Sequence, residues 1–316
     1  MQTRKIGTLD VTVVGLGCNN FGMRIEADAA AAVVSAALDA GINFFDTADI
    51  YGGTLSEEYL GKALQGHRDE VVLATKFGIP VKDVEGSGGA GAAWVKRAVE
   101  DSLRRLGTDR IDLYQLHFPD QATPITETLG ALNELVRAGK VREIGCSNFS
   151  AELIAEAEAA AEAAGVKRFA SVQNEMSLLA RDPAKTAIDA AAAHGLAFLP
   201  YFPLANGLLS GKYRRGEELP EGSRITTMPE DRRAQVLGES TLDVVEALDE
   251  FARARGHTLL ELAFAWLLAQ SPVASVIAGA TKPEQVAANA AAGANEWNLD
   301  DADLAELDRI AGAGPA

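Results

Sequence analysis

Three short apolar runs each end on a different ionisable residue. Ile42-Asn43-Phe44-Phe45 runs into Asp46, Val71-Val72-Leu73-Ala74-Thr75 into Lys76, and Asp112-Leu113-Tyr114-Gln115-Leu116 into His117. Tyr51 follows the first run a few residues later. Apolar runs of this length, bounded by turn signals, read as buried parallel strands. Parallel strands of one sheet or barrel end on the same face, so an acid, an ammonium, an imidazole and a phenol converge there. That is the equipment of a proton-transfer site.

The elements that hold these residues alternate along the chain. Arg4-Lys5-Ile6 and Val11-Thr12-Val13-Val14 flank the turn residues Gly7-Thr8-Leu9-Asp10, a β-hairpin pattern. Strand-like runs at 13–17, 42–47, 71–76, 111–117, 141–147, 170–174, 197–201 and 274–278 then each precede a helical pattern, with Ser56 placed to N-cap the second helix. A loop carrying glycines, prolines and both charge signs covers 203–233, and the acidic stretch 300–310 adds a further helix. Regular βα alternation demands a parallel sheet, and eight units favour its closure. The expected fold is α/β: a (β/α)8 barrel with an N-terminal β-hairpin and a C-terminal extra helix. At 316 residues the chain suits one such domain with insertions, and no break in composition suggests a second.

Composition narrows the partners. The net charge of −16 gives a surface that repels nucleic acid and anionic membranes, so an anionic cofactor needs a local basic pocket. The two cysteines, Cys18 and Cys146, form no C-x-x-C pair, which excludes a disulfide framework and a zinc ribbon. With no H-E-x-x-H and no cysteine cluster, no metal site is expected, and His67, His194 and His257 read as caps or surface residues. The start, Met1-Gln2-Thr3-Arg4-Lys5, leads into no apolar segment, and no run approaches the length of a membrane span. A cytoplasmic protein acting on a small molecule is expected; nothing in the sequence specifies an oligomeric state.

Gly15-Leu16-Gly17-Cys18-Asn19-Asn20 starts like a dinucleotide fingerprint, but Asn20 stands where the third glycine belongs, which disfavours a Rossmann dehydrogenase. A different resemblance runs nearly end to end. Phe44-Phe45-Asp46-Thr47-Ala48-Asp49-Ile50-Tyr51-Gly52, Ala74-Thr75-Lys76-Phe77-Gly78, Asp112-Leu113-Tyr114-Gln115-Leu116-His117 and Gly145-Cys146-Ser147-Asn148-Phe149, in this order and spacing, resemble the aldo-keto reductase superfamily. The resemblance implies a TIM barrel binding NADPH, with NADH as an alternative, at the C-terminal mouth.

Singly, a post-strand aspartate can be a cap, a strand-end lysine can snorkel, and a rim histidine or tyrosine can simply pack. Together, on the barrel face where catalytic groups sit, Asp46, Tyr51, Lys76 and His117 read as a catalytic tetrad. Reducing a carbonyl needs a hydride at carbon and a proton at the developing alkoxide. A phenol of ordinary pKa about 10 is a poor acid at neutral pH, so Lys76 is expected to lower Tyr51, Asp46 to hold Lys76 charged, and His117 to orient the substrate oxygen.

By the same resemblance, Ser147, Asn148 and Gln173 hold the nicotinamide carboxamide and Tyr201 stacks on its ring. The segment Pro203 and Leu204 through Gly207, Leu209, Gly211 and Lys212 resembles a pyrophosphate loop. Gly279, Thr281, Gln285 and Asn289 match the adenosine end, where Pro283 suits a first helical turn. Gln285 stands where many NADPH-using relatives carry arginine, which weakens the case for NADPH over NADH. Asn20, Phe21, Ile50, Phe77 and Phe118 are expected at the substrate mouth. The expected activity is NADPH-dependent reduction of aldehydes or ketones. The alternatives are an NAD-dependent sugar or cyclitol dehydrogenase on the same barrel and, from another class, a nucleotide-sensing binding subunit like the family's channel-associated members.

Overall fold

A computed structural model describes residues 1–295 and 297–312. Strands β1 (Thr3–Ile6) and β2 (Leu9–Thr12) form an antiparallel hairpin. Its turn is only Gly7-Thr8, two residues rather than the four expected, and Gly7 takes φ 56°, which glycine adopts without a Cβ penalty. Eight parallel strands follow: β3 (Val14–Gly17), β4 (Phe44–Asp46), β5 (Val72–Phe77), β6 (Ile111–Leu116), β7 (Val141–Ser147), β8 (Ser171–Glu175), β9 (Ala197–Tyr201) and β10 (Val276–Gly279). Their order is β10-β3-β4-β5-β6-β7-β8-β9. The ring closes just before β10, where the Ala274 N–H donates to the Phe198 carbonyl at 3.0 Å and Phe198 bridges Val273 in parallel.

Helices α1 (Ala27–Asp39), α2 (Leu55–Ala63), α3 (Ala92–Leu106), α4 (Ile125–Arg137), α5 (Ala151–Ala164) and α6 (Asp182–His194) cover the outside of the barrel. They are joined by α7 (Glu230–Val236), α8 (Glu239–Ala254), α9 (Leu259–Leu268), α10 (Pro283–Ala294) and the extra helix α11 (Asp301–Gly312). The segment expected as a continuous loop to residue 233 is interrupted by 3-10 turns at Ala205–Ser210 and Ile225–Thr227 and enters α7 at Glu230. Ser56 is not the N-cap of α2; Thr54 is, and Ser56 is buried inside the helix. Its hydroxyl donates to the Cys18 carbonyl at 2.8 Å and shares a hydrogen bond with Thr47, tying the helix to the barrel rim.

Two cores follow from the strand period of two. Residues facing the helices form the large outer core, while Phe44, Ala74, Leu113, Leu199 and Ile277 fill the barrel interior. Ile6, Leu9 and Val11 of the hairpin join that inner cluster and plug one end. Two residues further along, the inward positions of six strands become polar (Asp46, Lys76, Gln115, Ser147, Gln173 and Tyr201), while β3 and β10 carry Gly17 and Gly279. Burying the first five is tolerated because they bond to one another, and the half-buried Tyr201 bonds to Asn148. At the plugged end the buried Glu143 carboxylate is taken up by Thr8 of the hairpin turn and by Lys167; the other end is the chemical one.

Candidate active site

At the C-terminal mouth a cavity of about 560 Å³ is lined by Asp46, Tyr51, His117, Ser147, Asn148, Gln173 and Tyr201, among others. Lys76 lies beneath it, fully buried. Its ammonium donates to Asp46 Oδ2 at 2.6 Å and to the Thr47 carbonyl at 2.9 Å, and lies 5.1 Å from the centre of the Tyr51 ring. The other oxygen of Asp46 accepts from Gln115 Nε2 at 3.1 Å and Gln173 Nε2 at 3.0 Å. The His117 ring meets Tyr51 edge-on, with centroids 5.7 Å apart. The four ionisable residues singled out in the sequence therefore gather around one phenol.

The electrostatics refine the expectation. Burial alone would push Lys76 down, but the Asp46 carboxylate and the Tyr51 phenol outweigh it, so the lysine is raised and stays an ammonium. Burial raises Tyr51; the Lys76 charge pulls it back, Asp46 pushes it up, and the balance remains above the ordinary phenol value. Lys76 thus acts in the expected direction, yet burial outweighs it, and Tyr51 is a protonated phenol at neutral pH. Burial, then the Lys76 charge, lowers His117 to about 3, so the imidazole is neutral. Its Nδ1 is buried with no hydrogen-bond partner in the protein.

Tyr51 reaches this place through a turn that only glycine permits. Gly52 and Gly53 take φ 60° and 66°, and a Cβ on Gly52 would run into the Phe21 carbonyl. Around the expected nicotinamide site, the Tyr201 hydroxyl donates to Asn148 Oδ1 at 2.8 Å, Asn148 Nδ2 donates to the His117 carbonyl at 2.9 Å, and the Ser147 hydroxyl donates to the Gln173 carbonyl at 2.7 Å. The Gln173 amide nitrogen is committed to Asp46, which turns its carbonyl oxygen into the group free to accept from a carboxamide.

Further along the cavity wall lie Pro203, Leu204, Gly207, Lys212, Gly279, Thr281, Gln285 and Asn289, all expected to bind cofactor. Leu209 is buried outside the lining, and Gly211 caps the same 3-10 turn without reaching the cavity wall. Gln285 Oε1 accepts the Thr281 N–H at 2.8 Å, so its amide nitrogen is the end left for the cavity. Arg24 and Arg224, which sequence reasoning missed, join Lys212 in the lining. Arg24 donates to the Gly222 carbonyl at 2.7 Å, and the Arg224 guanidinium lies 4.8 Å over the Phe202 ring. Burial, and after it the nearby Arg24 charge, lowers both Lys212 and Arg224. An anion among them relieves the repulsion from Arg24. In a chain of net charge −16 these three cations make a local basic patch of the kind expected for an anionic cofactor.

The expected substrate mouth divides. Asn20 and Phe118 line the cavity, with Phe118 49% exposed and stacked on His117 at 5.5 Å. Phe21 and Phe77 are fully buried in the outer core, and Ile50 packs against that core outside the lining. The reason is strand alternation: Lys76 points into the barrel, so Phe77 must point out, where it stacks on Tyr114.

A parallel barrel with its polar groups gathered at the C-terminal mouth is the architecture of a (β/α)8-barrel enzyme. The family model of the Aldo/keto reductase family matches residues 13–311, and the chain belongs to that family of oxidoreductases acting on carbonyls. It is 34% identical over 318 residues to the aldo-keto reductase yakc [NADP(+)] of Schizosaccharomyces pombe, covering 97% of this chain and 90% of the relative. It is 36% identical over 281 residues to the aldo-keto reductase YhdN of Bacillus subtilis, covering 88% and 82%. Among solved structures, the glycerol dehydrogenase AKR11B4 from Gluconobacter oxydans superposes with a TM-score of 0.83 at 32% identity, covering all of this chain and 97% of that one.

Proposed function

We propose that this protein reduces small aldehydes or ketones with NADPH, with Tyr51 as the proton donor. The observation that carries the reading is the buried Asp46–Lys76 pair set under the Tyr51 ring and beside a neutral His117. Bound along the cavity wall, the reduced nicotinamide supplies the hydride. Gln173, through its free carbonyl oxygen, and Asn148 and Ser147 are the groups that orient its carboxamide, and Tyr201 flanks them.

The protein's own residues do the rest. A neutral His117 donates one hydrogen bond to the substrate oxygen without placing a second charge beside Lys76. Tyr51 delivers its proton as negative charge builds on that oxygen, and the Lys76 ammonium stabilises the phenolate left behind. Asp46 keeps Lys76 charged, and Gln115 and Gln173 keep Asp46 in place. Tyr51 carries its proton at neutral pH, the state from which a donor for reduction starts, whereas the Gluconobacter oxydans protein is by its name a dehydrogenase.

NADPH rather than NADH is our reading because Lys212, Arg24 and Arg224 bring three positive charges to the cavity lining against the carboxylate of Glu284. The Gln285 nitrogen adds a neutral donor at the adenosine end, and the Schizosaccharomyces pombe relative carries NADP(+) in its name. The test is the oxidation of NADPH and of NADH by the purified protein with a panel of small carbonyl compounds. Turnover with NADPH at a lower KM than with NADH is expected. Tight dinucleotide binding with no carbonyl-dependent turnover would instead favour a nucleotide-sensing role.

A further inference from the structure

A second acid sits close to the catalytic tyrosine and takes no part in the chemistry derived so far. Asp49 lies two residues before Tyr51, is 1% exposed, and neither of its carboxyl oxygens has a hydrogen-bond partner in the protein. The Tyr114 hydroxyl, on a fully buried ring, is likewise without one. Buried polar groups are normally paired, so two such groups in one layer behind the active site call for an explanation.

The backbone shows what Asp49 anchors. Beyond the end of β4 the chain stays laddered to β5: the Thr47 N–H donates to the Ala74 carbonyl at 2.9 Å, and the Asp49 N–H to the Lys76 carbonyl at 3.1 Å. The Tyr51 N–H then turns back to the Ala48 carbonyl at 3.2 Å. Asp49 is therefore the last residue fastened to the strand that carries Lys76 and lies inside the turn that delivers the phenol.

We propose that Asp49 is a positioning residue for Tyr51: its backbone N–H holds the Ala48–Tyr51 turn to the strand that carries Lys76, and a charge on its buried, unpartnered carboxyl loosens that turn. This rests on Tyr51 being the proton donor. The charged and titratable groups that act on Asp49 are Glu57 on α2, Arg105 on α3, Lys76 on β5 and Tyr114 on β6. The two cations are already engaged. Arg105 Nε donates to Glu57 at 2.6 Å, Thr75 donates to the other Glu57 oxygen at 2.6 Å, and Lys76 is held by Asp46.

Burial and then the Glu57 charge raise the Asp49 carboxyl to about 8, with Arg105, the Ile50 N–H and Lys76 offsetting only part of the rise. An anion there would face the Glu57 carboxylate with only the Ile50 N–H as a nearby donor. It can be relieved only by drawing Arg105 from Glu57 or by moving toward water, and the second path carries Tyr51 with it.

The experiment compares wild type with Asp49→Asn, an uncharged side chain of the same shape. In wild type, kcat for carbonyl reduction falls as pH rises through about 8, and in Asp49→Asn that fall is absent while kcat at neutral pH is retained. Melting temperature is the second readout. An acid raised from 3.8 to about 8 on folding costs the native state progressively more as pH rises between those values and no more above them. The Tm advantage of Asp49→Asn should therefore widen up to about pH 8 and then level off.

The same alkaline limb in both proteins, or a Tm gap that ignores pH, overturns the proposal. Should the variant not fold, the infrared band of a protonated carboxyl in wild type should persist at neutral pH and vanish near pH 8; its absence at pH 7 overturns the proposal equally. Lack of any turnover by wild type at neutral pH would mark failure of the catalytic reading rather than of the buried acid, which the Tm and infrared readouts test without activity.

Discussion

Lys76 and Asp46 meet at 2.6 Å on the floor of the barrel mouth, one nearly and one fully buried. Two charges are kept there because each is hydrogen-bonded further, Lys76 to the Thr47 carbonyl and Asp46 to Gln115 and Gln173. A buried pair of this kind adds little net stability, but losing one partner leaves the other charge stranded.

Lys76→Met is therefore expected to cost about 3–5 kcal/mol of stability at neutral pH, and Lys76→Met with Asp46→Asn markedly less. Chemical denaturation of the two variants checks this. Lys76 is raised on folding, so its contribution is fully present at pH 7 and is lost only as pH climbs past its ordinary 10.5.

His117 titrates near 3 when folded and at its ordinary 6.5 when unfolded. The unfolded chain therefore binds a proton between these values that the native protein does not, and stability drains as pH falls from 6.5 toward 3. His117→Gln should flatten that part of the stability profile. In wild type, kcat/KM should show no inflection near 6.5 from this residue; a limb there that disappears in His117→Gln would contradict a permanently neutral imidazole.

Arg224→Ala should weaken NADPH binding about 10- to 100-fold, the loss of one charge-assisted contact, while changing NADH less. Fluorescence titration with each dinucleotide measures the difference. Equal losses for both would mean that Arg224 serves the shared pyrophosphate or only the loop.

Asp46, Lys76 and His117 could be grouped from the sequence because they stand at strand ends on one barrel face, whereas Tyr51 joins them through the glycine turn after β4. The barrel itself was legible from βα alternation, though closure at Phe198 and Val273 was not, since a single bridge leaves no sequence pattern. Gln115 was missed although the alternation that turns Lys76 inward also turns Gln115 inward two positions before His117. The same alternation would have sent Phe77 outward. Arg24 and Arg224 had no local signal: they reach the cavity through loops whose paths depend on contacts such as that between Arg24 and Gly222. Burial at Tyr51 likewise belongs to the assembled mouth, so the direction of its shift was not readable from the motif.

The claim that Tyr51 donates the proton is tested most directly by NADPH oxidation with a reactive aldehyde, in wild type and in Tyr51→Phe, with NADPH Kd measured on both. Dinucleotide affinity should be unchanged while kcat drops by about 10²–10⁴-fold. Turnover by Tyr51→Phe at the wild-type rate would contradict the account.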